Sequence, residues 1–135
     1  MTTVRRIHCD GGSRGNPGPA AAGSVLLDQA GDVVDSASEF LGVATNNVAE
    51  YHAVILGIGL MRAHKLREAD FYLDSQLVVR QLNGQYKVKH IDMKRKYDEV
   101  QVALAGLKVR FHHVLRAENT QADAAVNDCL DAQLG

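Results

Sequence analysis

Asp10, Glu50, Asp74 and Asp123 are the residues of this 135-residue chain whose types and placement best suit chemistry. Asp10 ends a short apolar run and Asp74 ends another, while Glu50 and Asp123 each fall in the first turn of a helical pattern. Such acids are far apart in sequence, yet element ends at one rim of a sheet can bring them together in space. A carboxylate cluster suits Mg²⁺, a hard cation that takes a few carboxylates, keeps waters and leaves room for phosphate oxygens. Two such ions about 4 Å apart can activate a water and stabilise the leaving oxygen of a phosphodiester. No cysteine–histidine cluster offers a zinc set instead.

Each acid also has a purely local reading. Asn47-Val48-Ala49-Glu50 and Thr120-Gln121-Ala122-Asp123 both resemble helix-capping patterns. Asp74 before Ser75 can help begin a helix, and Asp10 before two glycines can open a turn.

The elements that must position these acids follow from periodicity and turn residues. Val4 to Asp10 reads as a strand, and the run Gly11 to Pro19 reads as a loop too rich in glycine and proline for a sheet interior. Ala20–Leu27 and Val33–Phe40 read as two further strands joined by the hairpin residues Asp28 to Gly31. Steps of three and four from Ala49 through His52, Ala53, Leu56 and Leu60 to Ala63 predict a helix over Val48 to Lys65 with Asn47 as its N-cap. Gly57 and Gly59 interrupt it at about 1 kcal/mol each, a cost that close packing on the sheet would explain. A strand over Asp70–Asp74, a helix over Gln76–Leu82, a helix from Met93 to Ala105, a strand over Lys108–Leu115 and a helix from Thr120 complete the chain. The order βββ-α-β-α-α-β-α implies an α/β fold. Its five-stranded mixed sheet has three antiparallel strands, then two parallel ones, with helices on both faces.

Composition bounds the rest. With 46% apolar and 23% charged residues, the chain reads as one globular domain over residues 1–135. No apolar run is long enough to span a bilayer, so no membrane association is expected. The opening MTTVRRIHCDGG lacks the apolar core of a secretory signal. Cys9 and Cys129 lie in apolar-periodic segments and read as buried free thiols, which suits a cytoplasmic location. A net charge of −1 argues against a generic basic nucleic-acid binder, but not against an enzyme with an acidic site.

The runs DGGSRGNPGPAAAG, TNNVAEYHAVILGI, LDSQLVVRQLNG and ENTQADAAVN, in that order, resemble the four blocks of type 1 ribonuclease H across essentially the whole chain. The resemblance implies an endonuclease that hydrolyses the RNA strand of an RNA–DNA hybrid. Asp10, Glu50, Asp74 and Asp123 would hold two Mg²⁺ ions, with Mn²⁺ as a substitute, and Asp10 and Asp74 would lie closest to both. It implies that Asn16, Asn47 and Gln76, with the backbone near Gly11, read the 2′-hydroxyls of the RNA. Thr45 matches a position that binds a DNA phosphate, and Tyr86 and Lys87 would face the DNA strand, while the basic run Lys94 to Lys96 reads either as part of that surface or as an ordinary solvated helix face. No obligatory protein partner is implied.

The chain departs from the family pattern twice. Only Asn83 to Asp92 separates the second and third helices, where better-studied bacterial members carry a long basic insertion. The loop Leu115-Arg116-Ala117-Glu118-Asn119 lacks the histidine common in relatives, leaving Arg116 either to contact a phosphate or to pair with Glu118. The expectation is therefore a compact ribonuclease H. The competing expectation is a non-catalytic hybrid- or duplex-binding module of the same fold, and a third is another nuclease class built on it.

Overall fold

A computed structural model describes residues 5–135 of the chain; Val4, expected to begin the first strand, lies outside the described residues. Three strands come first: β1 (Arg5–Ser13), β2 (Gly18–Leu27) and β3 (Val33–Ala44). Then follow α1 (Asn46–Ala63), β4 (Glu68–Leu73), α2 (Gln76–Leu82), α3 (Ile91–Ala103), β5 (Lys108–His113), a 3₁₀ turn over Arg116–Glu118, and α4 (Thr120–Leu134). The sheet order is β3-β2-β1-β4-β5. β1 to β3 pair antiparallel, and β4 lies parallel to both β1 and β5. The chain thus has the ribonuclease H-like fold.

Period-two alternation on β1 and β4 sorts their side chains between two faces of the sheet. Ile7, Cys9 and Phe71 are fully buried beneath α1. Gly57 is required there, because a Cβ at that position would lie 2.7 Å from the Phe71 ring and 3.0 Å from Ile7. Truncating Phe71 to Ala would cost about 3–5 kcal/mol by the usual price of an aromatic cavity. Gly59 has open space around its Cβ position, so sheet packing does not explain it. On the opposite face α4 covers β1 to β3, burying Ala122, Val126 and Leu130.

Several expectations shift in register. Gly11, Gly12 and Ser13 continue β1 and pair with Ala22, Ala21 and Ala20, although their types favour a turn. The sheet tolerates them because a side chain at 11 would strike the Ala49 carbonyl carbon at 2.2 Å. α1 starts two residues early, so its N-cap is Thr45, whose hydroxyl accepts the Val48 N–H at 3.2 Å, and not Asn47. Its buried set includes Val54, Ile58 and Met61, while Ala63 is exposed, because α1 packs against α3 as well as the sheet. Cys9 is buried as expected, but Cys129 is only half-buried at the margin of α4. Among the described residues, no helix is long and apolar enough to cross a membrane.

Candidate metal centre

The pairing of β1 with β4 brings Asp10, on β1, beside Asp74, the residue after β4. The N-terminal part of α1 and the first turn of α4 meet the same rim. Glu50 is the fifth residue of α1, past the first turn in which its sequence pattern placed it, and Asp123 lies in the first turn of α4. These four acids line one open cleft of about 520 Å³, together with Gly11, Ser13, Asn46, Asn47, Ser75, Arg116 and Asn127. Asp10, Glu50 and Asp74 each present one carboxylate oxygen within 4.8 Å of the other two. Asp123 approaches Asp10, and its Oδ2 accepts from Asn127 Nδ2 at 3.3 Å.

The local capping readings do not describe these acids. Glu50 turns inward, with only 4% of its surface exposed, and its Oε1 accepts the Gly11 N–H at 2.9 Å. Its Oε2 is buried without a hydrogen-bond partner, an arrangement that leaves a lone pair aimed at nothing the protein supplies. α2 is capped by Ser75 and not by Asp74, and the residue before α4 is Asn119, so Thr120 is not a cap.

Crowding sets the electrostatics. Burial pushes Asp10 up to about 7, with the charges of Asp74 and Asp123 adding to the rise and its hydrogen bond with Glu50 opposing it. Burial also holds Glu50 well above the usual carboxylate range, reinforced by its hydrogen bond to Asp10 and that neighbour's charge. Without a counter-charge, burial and mutual repulsion disfavour the ionised form of both carboxyls. A divalent cation offsets that repulsion, supplies a partner for Glu50 Oε2 and prefers oxygen donors. The donor set therefore fits a divalent metal.

Asn119 is a residue that sequence reasoning missed. Its side chain is buried, and its Nδ2 donates to the Cys9 carbonyl at 2.8 Å and to Asp74 Oδ2 at 3.4 Å. With both amide hydrogens so used, its Oδ1 must accept from His8 Nδ1, 3.0 Å away, which fixes the proton on that ring nitrogen. Its own carbonyl takes the Asp123 N–H at 3.1 Å. One amide thus ties β1, the end of β4 and the start of α4. Asn46 was missed too; its Oδ1 accepts the Ser13 N–H at 2.8 Å.

The other expected site residues are spread more widely. Asn47 and Arg116 line the cleft. Asn16 braces a loop, its Oδ1 accepting the Asn46 N–H at 3.1 Å. Gly11 has committed its N–H to Glu50 and owes its small size to α1. Gln76 stands exposed at the first position of α2. Tyr86 and Lys87 lie outside the cleft. Tyr86 is exposed, and its hydroxyl accepts from Arg80 at 2.6 Å, while the Lys87 carbonyl accepts from Gln81 at 3.3 Å. Glu118 accepts the Leu115 N–H at 3.2 Å. His112 packs on the sheet surface, stacked on Tyr72 and 2.8 Å from Asp70.

A meander joined to two parallel strands, with acids converging where the pairing of β1 with β4 stops, defines the ribonuclease H-like class of α/β proteins. A family model described as reverse transcriptase-like matches residues 8–129. Bifunctional protein Rv2228c of Mycobacterium tuberculosis is 41% identical over 128 residues, which are 93% of this chain and 35% of that protein. Ribonuclease HI of Halobacterium salinarum is 40% identical over 129 residues, covering 93% of this chain and 65% of its own length. The chain therefore spans about a third of the mycobacterial relative and less than two thirds of the archaeal one. The solved RNase H1 of Halobacterium salinarum superposes with a TM-score of 0.90 at 38% identity, over 96% of this chain and 99% of that one. LC11-RNase H1, solved in complex with an RNA/DNA hybrid, gives 0.91 at 37% identity, over 97% and 99% of the two chains. The chain belongs to the type 1 ribonuclease H family and is a close homologue of ribonuclease HI enzymes.

Proposed function

We propose that this chain hydrolyses the RNA strand of RNA–DNA hybrids endonucleolytically, with Asp10, Glu50, Asp74 and Asp123 holding two divalent cations, Mg²⁺ or Mn²⁺. The observation that carries the reading is the buried, partnerless Glu50 Oε2 beside two further carboxylates within 4.8 Å. A hybrid-binding module would have no use for so costly a cluster. When bound, the cations supply charge that activates a water and stabilises the leaving oxygen.

The chain's own residues do the positioning. Asp10 and Glu50 would hold the cations through their carboxylate oxygens. Asn119 holds Asp74 by one carboxylate oxygen and leaves the other free for a cation. Asn127 does the same for Asp123. Asn47, with Asn16 on the neighbouring loop and Gln76 on α2, offers both donors and acceptors to 2′-hydroxyls, which separates RNA from DNA. Thr45, Tyr86 and Lys87 would meet the DNA strand, and Arg116 a phosphate at the cleft.

A labelled duplex with an internal RNA stretch and blocked ends tests this. Internal cleavage is expected with Mg²⁺ or Mn²⁺ and is lost in Asp10→Asn and Asp74→Asn. Folded wild-type protein that leaves the substrate intact in both metals would overturn the reading. Cleavage that requires a free end would favour an exonuclease instead.

A further inference from the structure

The cleft is lined by four acids and, among the described residues, by only two cations, Arg14 and Arg116. Arg116 follows β5, whereas Arg14 sits between β1 and β2, so the two approach Asp10 from opposite flanks of the sheet. Arg14 Nη2 lies 2.6 Å from Asp131 Oδ1, near the far end of α4. Both side chains are open to solvent, at 41% and 66% exposure, so the pair contributes little to stability.

The loop does not need that pair to hold its shape. The Arg14 N–H donates to the Pro19 carbonyl at 2.9 Å, the Ser13 N–H to Asn46 at 2.8 Å, and the Asn46 N–H to Asn16 at 3.1 Å. The Ser13 hydroxyl bonds the Gly15 carbonyl. A guanidinium on so well-braced a backbone, at the mouth of an acidic cleft, is a positioned anion receptor temporarily satisfied by an exposed carboxylate.

We propose that Arg14 is a substrate-positioning residue that takes a backbone phosphate of the RNA strand, and that Asp131 occupies it until substrate arrives. The RNA strand is assigned because Asn16 and Asn47, the amides proposed to read 2′-hydroxyls, flank the same loop. The inference rests on the function proposed above. Phosphate can displace Asp131 because the existing pair is one solvent-exposed contact, Nη2 to Oδ1, whereas a phosphate can be gripped by both arms of the guanidinium.

Steady-state hybrid cleavage by Arg14→Ala, Arg14→Lys, Asp131→Asn and the double variant, across a salt series, tests it. Arg14→Ala should raise KM about tenfold, the low end for a charge-assisted hydrogen bond, with kcat within about twofold. The slope of log(kcat/KM) against log salt should flatten by about one, as for one lost phosphate contact. Arg14→Lys should recover part of the KM. Asp131→Asn should lower KM, and only while Arg14 is present.

Unchanged KM and salt slope in Arg14→Ala would overturn the proposal. So would a rise in KM in Asp131→Asn equal to that of Arg14→Ala, which would mark the pair as a structural clamp. If Arg14→Ala melts below the assay temperature, Arg14→Gln is read in its place. If the wild type cleaves no hybrid, the functional reading falls. Fluorescence anisotropy of the same labelled hybrid then still decides the role of Arg14, since equal affinities of wild type and variant would remove it.

Discussion

Where the pairing of β1 with β4 stops, like charges are pressed together and left uncompensated. Asp10 and Glu50 are both buried, and one Glu50 oxygen has no partner. Along α3, by contrast, each of the three cations has an acid partner. Lys94 pairs with Asp98 at 2.5 Å, Lys96 with Glu99 at 3.5 Å, and Arg95 approaches Asp92 at 3.9 Å. Arg80 lies over the Tyr86 ring at 5.3 Å. A folded chain keeps an unpaid electrostatic debt only where something outside it settles the account, so the rim faces a ligand. α3 has instead paired its charges along its own surface, as an ordinary solvated helix does.

Asp10→Asn and Asp74→Asn probe the rim most severely. Each should lower cleavage of a labelled hybrid by about a thousandfold or more, at least the upper worth of a single preorganised electrostatic group. Thermal melting of metal-free Asp10→Asn should nonetheless match or exceed wild type, because the substitution relieves repulsion. A melting temperature well below wild type would break the contrast, marking Asp10 as a structural acid.

Asn119→Ala comes next. Loss of an amide that orients a metal-ligating carboxylate should reduce metal affinity or activity by about 10- to 100-fold. It should also destabilise the fold by about 1–3 kcal/mol through the unsatisfied Cys9 carbonyl. Isothermal calorimetry with Mn²⁺ and denaturant titration separate the two effects.

pH gives the third test. Asp10 has a folded-state pKa raised to about 7 from 3.8, so between those values the folded protein binds more protons than the unfolded chain. Stability of the metal-free protein should therefore fall as pH rises from about 4 through 7, and addition of Mn²⁺ at pH 8 should restore it. Melting curves in chelator at pH 5 and pH 8 read this directly, and Asp10→Asn should flatten the difference. The smallest effect is expected in Lys94→Ala, where an exposed i,i+4 pair is worth about 0.3–0.5 kcal/mol and KM should move by less than about twofold. A larger rise in KM would show that α3 grips substrate after all.

The sequence made the four acids legible because each stands at an abrupt change of pattern, and the helix expected over Gln76–Leu82 has those bounds, capped by Ser75 and Asn83. What stayed hidden depended on contacts across the fold. Turn-prone Gly11 to Ser13 become strand because α1 approaches too closely for side chains there. α1 begins at Asn46 with Thr45 as its cap, and Glu50, which the sequence offered to a capping box, is drawn inward to Gly11. Asn119 was masked by its neighbour, since Thr120-x-x-Asp123 already looks like a complete capping motif. Nothing local distinguishes an asparagine that faces His8, 111 positions away in sequence, from one that ends a loop.

That asparagine also governs how the site can come apart. Its side chain is fastened to β1 and to Asp74, and its carbonyl begins the hydrogen-bond ladder of α4. Fraying of the first turn of α4 cannot release Asp123 alone, because the same motion pulls the amide away from the central strand. The centre should therefore open as one cooperative unit, with amide hydrogens at the start of α4 exchanging in step with those of β1 and slowing together when a cation binds.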